Sequence, residues 1–241
     1  MIRLLKGAAI ILKQFNLTAK LYIVSTPIGN LGDITLRAIE ILRSVNFIVC
    51  EDTRVTSILL HHLNIKKELY SLNAASEKFK AQKVIERIMQ GESCALVTDA
   101  GTPGISDPGT RLINLTIKEN IDVVSIPGAT ALIAALSLSG FPSDSFVFEG
   151  FLPNKKGRQK NLKQLADEER TIVLYESTYR IEKLIDELAE FMPKRSMVIC
   201  REITKKFEEV IRGTAKSIQA DLNEHILKGE FVVVIASKNW K

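Results

Sequence analysis

From Leu21 onward, apolar runs of strand length alternate with stretches of helical periodicity, and no other feature limits the possible folds as tightly. The runs are Leu21 to Ser25, Phe47 to Cys50, Leu69 to Leu72, Cys94 to Val97 and Val123 to Ile126. Helical spacing appears around Leu36 to Leu42, around Ala81 to Met89, after Pro108, and from Ala129 to Leu138. Five such strands joined by crossover helices predict a mainly parallel five-stranded sheet covered on both faces. Gly140, Pro142 and Ser143 then punctuate the chain as a domain boundary would. Beyond them come strands at Phe146 to Phe148, Thr171 to Tyr175 and Met197 to Cys200 with helices between, then Glu208 to Gly213, a helix near Ile218 to Leu227, and Phe231 to Ile235. The close approach of two strands through Ile203 to Phe207 implies a hairpin and hence a mixed sheet. The expectation is two α/β domains, residues 20–140 and 141–241, with a cleft between them and an extension over 1–19.

A chain of 241 residues with 46% hydrophobic and 25% charged residues is an ordinary globular protein, which excludes global disorder. Its net charge of +5 suggests a nucleic-acid partner, yet Arg3, Lys6, Lys13 and Lys20 hold four of those charges. Any argument for RNA must therefore rest on local clusters. The apolar core of the first segment, Gly7 to Leu12, is too short to span a bilayer, and no small-residue cleavage site precedes Leu21. Residues 1–19 read as an extension from an upstream start codon rather than a targeting signal. Cys50, Cys94 and Cys200 are odd in number and lie in or beside apolar strands, as buried reduced thiols of a cytoplasmic protein do. His61, His62 and His225 lack metal-ligand spacing, so no metal is expected.

Three loops follow strand ends in the first half: TPIGNLGD from Thr26, the twelve residues Thr98 to Gly109, and PGAT from Pro127. The middle one carries three glycines, two prolines and two aspartates, a stiff backbone with bare peptide groups. Asp107 and Pro108 read as the N-cap and first residue of the next helix, and Asp33 as the cap of the helix after the first loop. In open α/β sheets ligands bind at such strand ends. No GxGxxG, GxxxxGK or HExxH occurs, so the ligand is not expected to be held as a polyphosphate or through zinc.

These segments, with EDTR at Glu51, EGFLP at Glu149, YESTYR at Tyr175 and REITK at Arg201, resemble the ribosomal RNA small subunit methyltransferase I family, within the tetrapyrrole methylase superfamily. The resemblance covers residues 21 to about 236, in order. It implies two α/β domains of the tetrapyrrole methylase type, a homodimer, and S-adenosyl-L-methionine held largely by backbone groups. It also implies methylation of the ribose 2′-hydroxyl of a cytidine, cytidine 1402, in 16S ribosomal RNA of the small ribosomal subunit. Carried over by position, cofactor contacts are expected at Pro27, Ile28, Gly29, Asp99, Gly101, Thr102, Thr130, Ala131 and Tyr175. Ala129-Thr130 departs from the Pro and Ser or Cys usual after the family's Pro-Gly, but Thr130 keeps a hydroxyl. The helical tail of many relatives has no counterpart after Ile235.

Methyl transfer needs oxygen, carbon and sulfur in line, and a positioned base adds to the rate. Glu51, Asp52 and Arg54, after the second strand, are the catalytic candidates, and the sequence singles out no one base among them. Asp33 competes with them. For RNA phosphates the candidates are Lys155, Lys156, Arg158, Lys160 and Lys163, an acid-free cluster in 154–163, continued by Arg180, Arg201, Lys205 and Lys206 with Glu202, Glu208 and Glu209 interspersed. Tyr175 and Tyr179 suit base stacking, Tyr175 equally a cofactor contact. Two other readings remain open on the residues: a tetrapyrrole-type small-molecule methyltransferase, and a non-catalytic RNA-binding ribosome-assembly factor.

Overall fold

The structure is a computed structural model that describes residues 19–73, 77–221 and 227–240. The expected extension over 1–19 lies almost wholly outside those residues. The chain forms two compact units, residues 1–130 and 131–241. The division falls ten residues before Gly140, because the helix Ala131–Ser139 packs on the strands of the second sheet.

In the first unit, β1 (Leu21–Val24), β2 (Phe47–Cys50), β3 (Glu68–Ser71), β4 (Cys94–Leu96) and β5 (Val123–Ile126) are all parallel, in the order β3-β2-β4-β1-β5. Alternate residues of one strand serve opposite cores. Leu21, Ile23, Phe47, Val49, Cys94 and Leu96 face α3 (Glu77–Met89) and α4 (Thr110–Lys118). Val24, Ile48, Cys50, Ala95 and Val97 face α1 (Leu36–Ser44) and α2 (Thr53–His62). Two buried faces are why these strands read as unbroken apolar runs rather than as alternating ones. The helix α2 is not among the helical stretches read from the sequence; Asp52 is its N-cap.

Two expected caps are corrected. Thr35, not Asp33, accepts from Ala38 N at the start of α1, while Asp33 closes a short 3-10 turn, Leu31–Asp33. The helix α4 begins at Thr110 behind Gly109, which offers no side chain, so Asp107 and Pro108 lie outside it. Its amides are satisfied from elsewhere: Glu77 Oε1 accepts from Arg111 N at 3.0 Å and Leu112 N at 3.1 Å. A carboxylate at a helix N-terminus meets both orphan donors and the positive end of the dipole. Gly109 is needed here because its φ is +127° and a Cβ would lie 2.7 Å from Leu96 Cδ2.

The second unit starts with α5 (Ala131–Ser139) and holds the sheet β6-β7-β10-β8-β9. Its strands are β6 (Phe146–Phe151), β7 (Thr171–Ser177), β8 (Ser196–Arg201), β9 (Glu209–Thr214) and β10 (Glu230–Ile235). The β6–β7 pair is parallel and the others antiparallel, so the sheet is mixed, and β8–β9 is the expected hairpin. One face buries Ile172, Leu174, Met197, Ile199 and Val233 under α6 (Arg158–Asp167), α7 (Ile181–Phe191) and α8 (Ala215–Ala220). The helix expected to reach Leu227 ends at Ala220 among the described residues; 222–226 are outside them.

A buried ionic cluster ties α6 to this layer. Arg158, only 3% exposed, donates from Nε to Glu187 Oε2 on α7 at 2.8 Å, and its Nη2 lies 3.5 Å from Glu176 Oε2 on β7. Glu176 Oε1 in turn meets Arg180 Nη2 at 2.8 Å. Breaking such a buried set leaves an uncompensated charge.

Two stability outcomes follow from these contacts. Glu77→Ala should lower unfolding free energy in urea by about 1 kcal/mol, the scale of a lost N-terminal cap; unchanged stability would mean that water replaces the carboxylate at no cost. Arg158→Met should cost about 3–5 kcal/mol, since Glu176 and Glu187 stay buried. A neutral result would show that the two carboxylates are not held there as ions.

Candidate functional site

The chain leaves β1 toward β2 on one side of the sheet and leaves β4 toward β5 on the other. The adjacent pair β1 and β4 is therefore the topological switch point, the place where loops diverge and a ligand crevice opens. The loops after these two strands are laced there by main chain. Thr26 N donates to Gly101 O at 2.8 Å and Gly101 N to Thr26 O at 3.1 Å, an isolated antiparallel bridge. Thr26 Oγ1 donates to Thr98 O at 3.1 Å, and the Ser25 and Thr102 hydroxyls lie 2.8 Å apart.

The neighbouring loops attach to the same segment. Thr102 Oγ1 donates to Ala129 O at 3.3 Å in the turn after β5. Asp99 Oδ1 accepts from Asp52 N at 3.0 Å, which fixes the turn after β2. Residues 98–102 thus hold all three neighbours. Gly101 makes this possible: its φ is +87°, and a Cβ would lie 3.5 Å from Ile28 Cγ2 and 3.9 Å from Ala129 O. A cavity of about 120 Å³ opens beside the lacing, lined by Thr26, Pro27, Val55, Ile58, Thr98 and Asp99 among others.

Three carboxylates converge at this edge with different proton affinities. Arg54, a two-pronged partner at 2.5 Å to 3.1 Å, holds Asp52 down to about 2. Burial, and then the nearby charges of Asp99 and Asp52, push Glu51 up. Burial also raises Asp99, against the Asp52 amide bond that lowers it. Environments that separate like groups in this way assign them different roles. Burial pushes the Cys50 thiol up and Cys200 to about 11, so both are inert at neutral pH. Among the described residues no cluster of His, Cys, Asp or Glu could hold a metal ion, and no helix is long and apolar enough to cross a membrane.

Of the expected cofactor contacts, Pro27, Ile28, Gly29, Asp99, Gly101 and Thr102 come together in the laced loops, with Thr130 following Ala129. Ala131 and Tyr175 belong to the second unit, where Tyr175 Oη accepts from Leu132 N at 3.0 Å and so serves an amide at the start of α5. That bond joins positions 43 residues apart and had no local signal. The wall formed by Val55 and Ile58 of α2 was also missed; the Asp52 cap followed by Leu59, Leu60 and Leu63 at helical spacing was the signal available.

The basic candidates divide. Lys155, Lys156, Lys160 and Lys163 are exposed and in no ion pair among the described residues. Arg158 and Arg201 are corrections, since both are buried structural cations. Arg201 Nε donates to Glu209 Oε2 at 2.9 Å and its Nη1 to Lys228 O at 3.0 Å. Lys205 is held by Glu202 and Glu230, each at 2.9 Å. Arg180 is committed to Glu176 and to Leu152 O at 3.1 Å.

The family model for Tetrapyrrole (Corrin/Porphyrin) Methylases matches residues 20–219. The chain is 48% identical over 218 residues to the ribosomal RNA small subunit methyltransferase I of Synechocystis sp., covering 90% of this chain and 78% of that one. In fold it is similar to a cobalt precorrin-4 methyltransferase of cobalamin biosynthesis, with a TM-score of 0.67 at 19% identity over 90% of this chain and 94% of that one. It is likewise similar to the uroporphyrin-III C-methyltransferase of Thermus thermophilus complexed with S-adenyl homocysteine, with a TM-score of 0.61 at 16% identity over 90% and 97%. With the match spanning most of its length and nearly half its residues shared with that relative, the chain belongs to the tetrapyrrole methylases and, among them, to the ribosomal RNA small subunit methyltransferase I family.

Proposed function

We propose that the chain is an S-adenosylmethionine-dependent ribosomal RNA methyltransferase whose acceptor is the ribose 2′-hydroxyl of a cytidine in 16S rRNA of the small ribosomal subunit. The observation that carries the reading is the laced cradle at the β1–β4 switch point, where peptide groups, hydroxyls and the Asp99 carboxylate are brought together. That donor set fits a zwitterionic nucleoside with a positive sulfur better than a polyphosphate. When bound, the cofactor supplies an electrophilic methyl group. A ribosomal substrate places the enzyme in the cytoplasm, and the family resemblance implies a homodimer.

Pro27, Ile28, Gly29, Thr102, Thr130 and Ala131 would hold the cofactor through main chain and hydroxyls, with Gly101 shaping the loop beside them, Asp99 offering a carboxylate and Tyr175 a ring. Asp52 is occupied as the cap of α2 and by Arg54, which makes it a poor proton acceptor. Glu51, raised by burial and by its acidic neighbours, is the better base: a carboxylate Oε with increased proton affinity takes the hydroxyl proton as the oxygen attacks. Lys155, Lys156 and Lys160 contact RNA phosphates.

The direct test is to incubate the chain with labelled S-adenosylmethionine and either 30S subunits or naked 16S rRNA, then map the label. Label on a cytidine 2′-oxygen is expected; label on a base, or none with either RNA, would sink the reading. In calorimetry, Asp99→Ala should weaken cofactor binding roughly ten- to hundredfold, the scale of a hydrogen bond to a charged group. Unchanged binding would remove Asp99 from the cofactor site. A base must be ionised to act, so methylation should fall as pH drops through the raised Glu51 value. Glu51→Gln should cut kcat by about 10²-fold or more and abolish that acid limb, with cofactor affinity retained. An unaltered pH profile would assign the proton elsewhere.

A further inference from the structure

We infer that one end of the second sheet is a platform for single-stranded RNA, on which Phe151, Tyr179 and Phe207 stack unpaired bases between exposed lysines. The inference rests on the RNA substrate proposed above and adds the form of RNA and the residues that read it.

Topology brings these residues together. Parallel pairing of β6 with β7, Phe151 opposite Tyr175, puts the ends of both strands on one side. Antiparallel pairing of Glu230 with Ser177, Phe231 with Arg201 and Arg201 with Glu209 brings the start of β10, the end of β8 and the start of β9 to that same side. Phe151 closes β6, Tyr179 follows β7, and Phe207 lies in the loop between β8 and β9. From β6 to β8 there are three strand steps, on the order of 14 Å, a span suited to a few nucleotides.

All three rings face solvent, at 51%, 96% and 65% exposure, although aromatic side chains usually bury most of their area. A local irregularity of β6 displays one of them. The register shift between Phe148 and Gly150 lets both Phe148 and Phe151 reach the Tyr175 ring, at 5.0 Å and 5.7 Å between centroids. Phe151 is thereby held edge-on by Tyr175 while the Arg180 guanidinium sits 5.8 Å from its centre. Arg180 also bonds to Leu152 O, to Asn154 and to Ser177 Oγ, which fixes the turn carrying Tyr179 against the end of β6. Thr178 Oγ1 donates to Gly229 O at 2.6 Å and fastens the same turn to the start of β10. These bonds tie the Phe151 and Tyr179 parts of the platform to each other and to β10.

Charge complements the rings. Lys155, Lys156 and Lys160 follow Phe151, and Lys206 lies 5.5 Å from the Phe207 ring; none is in an ion pair among the described residues. The acids of this end are engaged: Glu202 and Glu230 with Lys205, Glu209 with Arg201, and Glu208 Oε2 with Thr204 N. Exposed aromatics interleaved with free cations are what single strands use, since every base has a π-face and every nucleotide a phosphate. A duplex presents phosphates with its bases already stacked, so it would use the lysines but not the rings.

The test measures binding of the full chain to a 12-nucleotide unstructured pyrimidine RNA and to an RNA duplex of equal length, across a salt series. Tyr179→Ala and Phe207→Ala should each weaken single-strand binding about five- to hundredfold, leave duplex binding unchanged and keep the salt slope. Tyr179→Trp should restore affinity, and Lys155→Glu with Lys156→Glu should weaken both RNAs and flatten the slope. Retained cofactor binding shows that the variants are folded, which the exposure of both rings makes the expected result. If the unaltered chain does not bind the single strand, this inference falls, whereas the functional reading stands or falls on the mapped label. If it binds the single strand but the aromatic variants match it, this inference alone is overturned.

Discussion

The pair of hydrogen bonds between Thr26 and Gly101 is the contact on which the site depends. It joins the loops that leave β1 and β4 in opposite directions, and it does so through main chain. The side chains of the loop segment 98–102 are therefore free for other work. Asp99 holds the turn that carries Glu51 and Asp52, and Thr102 reaches Ala129 in the turn after β5. Because one segment holds three others, the loops after β1, β4 and β5 and the acidic turn share one hydrogen-bonded frame. Alignment of reacting atoms is the main lever for methyl transfer, and a frame of this kind is what such alignment requires.

The second unit solves a different problem, that of presenting cations without being destabilised by them. Arg158 and Arg201 are consumed by Glu187, Glu176 and Glu209 in holding α6 and the β8–β9 hairpin in place. Lys155, Lys156 and Lys160 stand in solvent on the segment that Arg158 anchors. A buried cation thus fixes the position of the exposed ones. Counting positive charges along 154–163 could not separate the two kinds, since pairing depends on which helices and strands lie above them.

Much of the layout was legible because strands buried on both faces leave continuous apolar runs, as at Phe47 to Cys50 and Phe231 to Ile235. The loops were legible because Gly101 and Gly109 occupy backbone regions closed to other residues, and that need shows directly in composition. Helix starts were read less well. Asp107 has the right chemistry for a cap, but Glu77, more than thirty residues away, takes the amides of α4. The helix α2 escaped the reading because its signal is the Asp52 cap taken together with the Leu59, Leu60 and Leu63 spacing that follows, and neither suffices alone.

The sequence by itself determined the two sheets, the placement of the Gly- and Pro-rich loops at strand ends, and the family, since each is written in local periodicity or in contiguous motifs. Only the tertiary structure decided which charges are available and which carboxylates are raised. Those properties come from burial and from partners distant in the chain: Asp99 beside Glu51, Glu187 beside Arg158, Tyr175 beneath Leu132. Proton affinity and the strength of an ion pair depend on the surrounding dielectric and on neighbours a few ångströms away, and neither is a function of sequence order.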